Sequence, residues 1–390
     1  MTDAASSLFW ITLCAVLAPL VAGLVPRRLL PEVVLLLVLG VLIGPHVLGL
    51  ATTGDAIDIL RELGLGMLFL LAGYEIELDE LAGRGGRRAL ATWVGCLLVA
   101  LGVVALIGLS GAIHAEVAVA IALTSTALGT LLPILKDGGL LAGPVGASVL
   151  HHGTYGELGP IVAMAVLLGA RGPGRSLAVL LGFAAVAVVV SVFSQRLQRE
   201  GSRLVALVRA GAETTGQTTV RLTMLLLVAL TALAAAFSLD AVLGAFAAGI
   251  VLRRLLPRGH EGLELRLNGL AFGFLIPIFF VTSGMSIDPS AVVGAPGKLV
   301  LFVLLILLIR GGLVLLVERR ARGTRDSLVV ALFAATGLPI IVAVSSAAVA
   351  AGQMTPSNAS VLVAGGALTV LACPLAATLL LARGRAGSPR

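Results

Sequence analysis

Apolar residues run in long blocks, separated by short stretches rich in Gly, Pro and charge. Blocks of about 18 or more apolar residues mark helices that cross a bilayer. The pattern predicts thirteen spans, at about 8–26, 33–50, 57–73, 89–110, 117–135, 141–169, 175–195, 221–237, 240–255, 268–285, 298–317, 327–350 and 357–382. Most of their boundaries carry the Gly, Pro or charged residues expected of loops. Two spans are interrupted. Span five reads AVAIALTSTALGTLLPILK, with Thr124, Ser125, Thr126, Gly129 and Pro133 inside it. Span twelve reads SLVVALFAATGLPIIVAVSS, with Thr336, Gly337 and Pro339 at a similar place. Proline removes an N–H and clashes with the preceding turn. Unwound backbone at membrane depth survives only inside protein or beside an aqueous cavity. The interrupted spans are seven apart and so run in opposite directions. This spacing predicts an inverted repeat, spans two to six against nine to thirteen, with a binding site where the broken helices cross. The plainer alternative is that Gly, Ser and Thr simply let helices pack closely.

Composition agrees with the pattern. Hydrophobic residues make up 58% of the chain and charged residues 12%, against about 25% charged in an ordinary soluble domain. A soluble enzyme is excluded. The net charge of +7 does not indicate nucleic acid, because the arginines fall in short loops. With the N-terminus outside, 22 of the 27 basic residues lie in inside segments, which predicts an N-out, C-in chain. Cys14, Cys96 and Cys373 all lie in apolar runs and offer neither a disulfide framework nor a metal spacing. The N-terminus lacks a basic n-region and a small-residue cleavage site, so its first apolar block is read as a retained span.

Charge at mid-membrane depth is the candidate chemistry. Glu157, in HHGTYGELGPI, is the only carboxylate placed there, and Arg310, in LVLFVLLILLIRGGLVLLV, the only basic residue. A charge at such depth costs at least about 2.5–3.5 kcal/mol and is usually functional. Either charge alone would be hard to hold, so the two are expected to pair or to share one aqueous cavity. Arg61, near the outer end of span three, can instead snorkel. A lone carboxylate in a cavity can hold a cation or a proton, never both. Burial and a nearby Arg pull its proton affinity in opposite directions. Thr124, Ser125, Thr126 and Thr154 are candidate oxygen ligands for a hard monovalent cation. Gly159–Pro160 is expected to loosen the helix and free a further carbonyl. The bland alternative for Glu157 is a permanent structural ion pair with Arg310.

Other features carry weaker signals. His151 and His152 are adjacent, about 100° apart on a helix, and cannot both face one metal. Either can tune a pH response. Tyr155 can gate or simply pack. Glu75, Glu77, Asp79 and Glu80 form an inside acidic cluster whose default is a solvated loop. Asp288 sits at an outer helix end, where turn or cap duty is expected. Residues 195–219 form the longest polar stretch, read as an inside connecting loop. There is no HExxH or GxSG, so intramembrane proteolysis has no support.

Four motifs occur together in one order: LFLLAGYEIELDEL at 68–81, ALTSTALGTLLPILKD, FGFLIPIFFVTSGMSIDP at 272–289, and ATGLPIIVAVSS. They resemble the signatures of the cation:proton antiporter superfamily, nearest its Kef-type and bacterial sodium–proton antiporter branch, over about residues 10–382. The resemblance implies a single membrane transporter unit with a core domain at about 89–169 and 298–382. A dimerisation domain would lie at about 8–73 and 221–285, with a linker helix at about 175–195. It implies elevator-like transport by a homodimer, with Glu157 as the essential carboxylate and Arg310 facing it. Relatives usually carry a second polar residue before the carboxylate, and this chain has Gly156–Glu157. The electrogenic two-proton mode is therefore not expected, and Arg310 in place of a lysine points the same way, since Arg does not release its proton. The nucleotide-binding regulatory domain of Kef-type relatives is expected to be absent.

The expected activity is thus electroneutral exchange of one Na⁺ or K⁺ for one H⁺ in a bacterial-type inner membrane, with no cofactor, resident metal or enzymatic step. A Kef-type potassium efflux channel and an organic-solute carrier on the same scaffold are the alternatives.

Overall fold

The computed structural model describes residues 2–24, 31–76, 83–109, 115–129, 131, 135, 139–141, 143–168, 173–199, 217–255 and 261–386. Pro133, Glu77, Asp79, Glu80 and residues 200–216 of the polar stretch lie outside the described residues.

Every regular element among the described residues is helical. In chain order these are α1 (Thr2–Leu24), α2 (Glu32–Ile43), α3 (Asp55–Glu75), α4 (Arg84–Gly108), α5 (Glu116–Leu123), α6 (Pro144–Leu167), α7 (Pro173–Arg199), α8 (Thr218–Ala236) and α9 (Ala241–Leu255). There follow α10 (Glu261–Leu270, continuing to Met285 through a π-helical turn at Ala271–Leu275) and the short α11 (Pro289–Gly294). Next is α12, running from Pro296 to Glu318 with a π-helical turn at Ile306–Gly311. Last are α13 (Thr324–Ala334), α14 (Leu338–Ala350) and α15 (Pro356–Ala386).

The sequence sets many of these boundaries. Helices α6, α7, α11, α12 and α15 open on Pro144, Pro173, Pro289, Pro296 and Pro356, where the fixed φ suits the first turn and no N–H is wasted. Asp288 caps α11, its Oδ1 accepting the Ser290 amide at 2.8 Å and the Ser290 hydroxyl at 2.7 Å. Those hydrogen bonds hold the Asp288 carboxyl below its usual range. Asp240 does the same service for α9, accepting the Val242 amide at 2.8 Å. Asp240→Ala should cost about 1 kcal/mol, read as a lower Tm in detergent, while Asp240→Asn, which keeps an acceptor, should retain most of the stability.

Seven helical stretches among the described residues are long and apolar enough to cross a membrane, and Glu32–Ile43 and Gly174–Val190 are shorter apolar helices. The most enclosed of the seven is Thr324–Ala350, which contains α13, a break and α14. The chain divides into two compact units. One gathers residues 1–8, 53–76 and 165–280, the other 9–52, 77–164 and 281–390. In the first, α3 and α9 touch backbone to backbone: a Cβ at Gly249 would press on the Leu70 carbonyl, and one at Gly73 on that of Phe246. Tyr74 donates to Glu264 at 2.7 Å, and the Arg253 guanidinium lies 5.2 Å from the centre of the Tyr74 ring. In the second unit, Val149, Val314, Val329, Val330, Phe333 and Ala377 belong to one buried apolar cluster.

Candidate functional site at the crossing of two broken helices

Helix α5 ends at Leu123, and Thr124–Ala127 leave helical geometry. At this helix end the Thr124 and Ser125 amides turn back on Ile121 O and Ala122 O at 3.1 and 3.2 Å, and the side-chain hydroxyls add a second donor to each carbonyl. Thr124 Oγ1 donates to Ile121 O at 2.8 Å and Ser125 Oγ to Ala122 O at 2.7 Å. Gly129 lies in helical backbone just after this break. The second break separates α13 from α14 at Ala335–Gly337, with Pro339 in the first turn of α14 and Thr336 Oγ1 donating to Phe333 O at 2.7 Å.

The two breaks are tied to each other. Ala127 N donates to Thr336 O at 2.7 Å, Ser125 Oγ lies 3.3 Å from Gly337 O, and Thr126 Oγ1 donates to Ala334 O. Thr124, Ser125, Thr126 and Thr336 are all buried. The paired breaks thus satisfy much of each other's freed backbone, as membrane depth requires.

Helix α6 passes beside the crossing and carries Glu157, which is 5% exposed. It runs helical through Pro160. Proline has no N–H, so the carbonyl four residues earlier, on Gly156, loses its helical donor. That carbonyl accepts the Thr126 amide instead, at 2.8 Å. Gly159–Pro160 therefore does not loosen the helix as expected, and the carbonyl it frees is taken by the unwound chain of the first break. Thr154 Oγ1 donates back to its own helix, to Leu150 O at 2.9 Å.

Arg310 reaches the same place from the π-helical turn of α12. Such turns insert an extra residue and recur at functional sites. The side chain is fully buried. Its Nε donates to Thr126 Oγ1 at 3.0 Å and its Nη2 to the His152 carbonyl on α6 at 2.6 Å, with Nη1 4.0 Å from Cys96 Sγ. Cys96 in turn contacts Ile309 O at 3.5 Å. The guanidinium is thereby docked on α6 within one turn of Glu157.

The two histidines part company. His151 is half-buried, with its imidazole against Gly85. His152 is 1% exposed, and its Nε2 lies 3.1 Å from Glu318 Oε1. Ser148 Oγ donates to Glu318 Oε2 at 3.1 Å, and Arg322 Nε lies 2.9 Å from the same oxygen. Sequence reasoning missed Glu318, which stands 166 residues from His152. The available signal was an acidic residue closing an apolar span just before Arg319, Arg320 and Arg322.

A family model described as sodium/hydrogen exchanger, transmembrane, matches residues 12–382. The glutathione-regulated potassium-efflux system protein KefC of Klebsiella pneumoniae is 28% identical over 314 residues, covering 77% of this chain and 48% of that protein. Cation/H(+) antiporter 17 of Arabidopsis thaliana is 26% identical over 298 residues, covering 70% of this chain and 36% of that one. The chain thus spans about half, or less, of the length of these relatives. The solved structure of the sodium proton antiporter MjNhaP1 from Methanocaldococcus jannaschii superposes with a TM-score of 0.63 at 18% identity, covering 96% of this chain and 98% of that one, which shows a shared fold. With this extent of family match, and with an all-helical fold built around two crossed helix breaks, the chain belongs to the transmembrane sodium/hydrogen exchanger family, within the cation:proton antiporter superfamily of multi-span membrane transporters.

Proposed function

We propose that this protein exchanges one Na⁺ or K⁺ for one H⁺ without net charge movement, Glu157 holding cation and proton in turn. The observation that carries the reading is a buried carboxylate on α6 beside two tied helix breaks, with a guanidinium docked within a turn of it. Thr124, Ser125 and Thr126 donate their hydroxyl protons to carbonyls, which leaves oxygen lone pairs for a hard cation, Thr126 keeping one because its other accepts Arg310 Nε. Arg310 keeps its proton throughout the cycle, so only Glu157 changes occupancy, and the loaded site bears the same charge with either ion. Alternation follows the elevator mode, the core at about 89–169 and 298–382 moving against a dimerisation domain at about 8–73 and 221–285. The working unit is a homodimer in a bacterial-type inner membrane, N-out and C-in.

In proteoliposomes, a pH-sensitive dye should report proton movement on addition of Na⁺ or K⁺, at a rate unchanged by a clamped voltage. Silence across Na⁺, K⁺ and Li⁺ would overturn the exchange, and a voltage-dependent rate would overturn the stoichiometry. The likeness to KefC, named as a potassium-efflux system, favours K⁺ efflux as the second reading. It predicts K⁺ currents much faster than an alternating-access cycle in the same vesicles.

A further inference from the structure

We propose that Gly156 is a positioning and selectivity-determining residue: its missing side chain admits the Arg310 guanidinium to a notch on α6, fixing an untransported cation beside the ion seat. The inference rests on the transport reading above and adds a residue to it. A Cβ built at Gly156 would stand 2.5 Å from Thr126 Oγ1, 2.6 Å from Thr126 Cβ, and closer still to Arg310 Nη2. Real Cβ atoms do not make such contacts, so any side chain at 156 must displace Thr126 or the guanidinium.

Neither can move freely. The Gly156 peptide is held by the Thr126 amide on the carbonyl that Pro160 leaves free. Thr126 is held by its hydroxyl on Ala334 O. The guanidinium is held on Thr126 Oγ1 and on the His152 carbonyl, one turn before Gly156. Gly156 thus lies between two other glycines of α6 that also receive bulk: Gly153 faces Leu128, and Gly159 faces the Trp93 ring. At 156 alone the incoming group is charged.

The consequence is chemical. The space next to the Glu157 backbone, where a second coordinating side chain would project, is taken by a cation that cannot be exchanged. The seat therefore gains a permanent positive charge and loses a possible ligand. Both favour one monovalent ion at a time.

A double-mutant cycle tests this. Gly156→Ala should raise the KM for the transported cation about tenfold, with a smaller effect on kcat, because the methyl displaces Thr126, a candidate ligand, together with the guanidinium docked on it. Arg310→Lys removes the Nη2 group that meets the new methyl. In that background Gly156→Ala should cost about threefold or less. The same non-additivity should be seen in the Tm of the purified proteins, and in recovery of folded protein should Gly156→Ala alone fold poorly. Effects that multiply independently in both KM and Tm would overturn the notch. Wild-type vesicles without cation–proton exchange would sink the transport reading instead, and the Tm cycle would then decide the notch by itself.

Discussion

Glu157→Gln should abolish cation-driven proton movement, by about a hundredfold or more. The amide keeps the size and hydrogen-bonding reach of the acid but can neither bind a proton reversibly nor neutralise a cation. Glu157 is 5% exposed, so an entering cation gives up water that few groups replace. Loss of a buried counter-charge costs about 3–5 kcal/mol, which corresponds to roughly two to four orders of magnitude in affinity. Folding should survive, because a neutral amide is cheaper to bury than a carboxylate. Reconstituted variant protein of unchanged Tm that still exchanges ions would refute the assignment.

Arg310→Ala should be the most damaging single change to stability. The side chain is fully buried and hydrogen-bonded to Thr126 and to the His152 carbonyl. Its removal takes a charged donor from Thr126 and from the His152 carbonyl, leaves a cavity and deprives the site of its fixed positive charge. Together these should cost about 3–5 kcal/mol, seen as a large fall in Tm. Transport should fall with it. Arg310→Lys retains the charge but not the forked geometry, so it should recover more stability than activity. A Tm for Arg310→Ala equal to wild type would mean that the crossing is held without the guanidinium.

Much of this was legible in the sequence because membrane chains obey strict rules. Long apolar blocks point to helices, and Gly–Leu–Pro at 337–339 inside one of them pointed to a break, whereas Gly159–Pro160 stands inside unbroken helix. The charges of Glu157 and Arg310 stood out because each interrupts a long apolar run far from its ends. The first break was legible in outline: of the residues that marked it, Thr124, Ser125 and Thr126 lie in the non-helical stretch Thr124–Ala127, Gly129 lies in helix just after it, and Pro133 is outside the described residues. Its partners were less legible. There Thr124 and Ser125 bond carbonyls only three residues back, while Thr126 and Ala127 bond Ala334 and Thr336, partners far away in sequence. The same limit hid Glu318: only the fold brings it to Ser148 and His152. Nor does any local pattern reveal that Pro160 serves Thr126 through the Gly156 carbonyl. Asp288 was legible as a cap because capping is local, and its partner Ser290 is two residues away.

The most direct measurement is of proton release from purified, detergent-solubilised protein in unbuffered solution as Na⁺ or K⁺ is added. If acid 157 is the shared seat, each bound cation displaces one proton, and Glu157→Gln releases none. Undiminished release from the variant, or cation binding to wild type with no proton set free, would contradict the account.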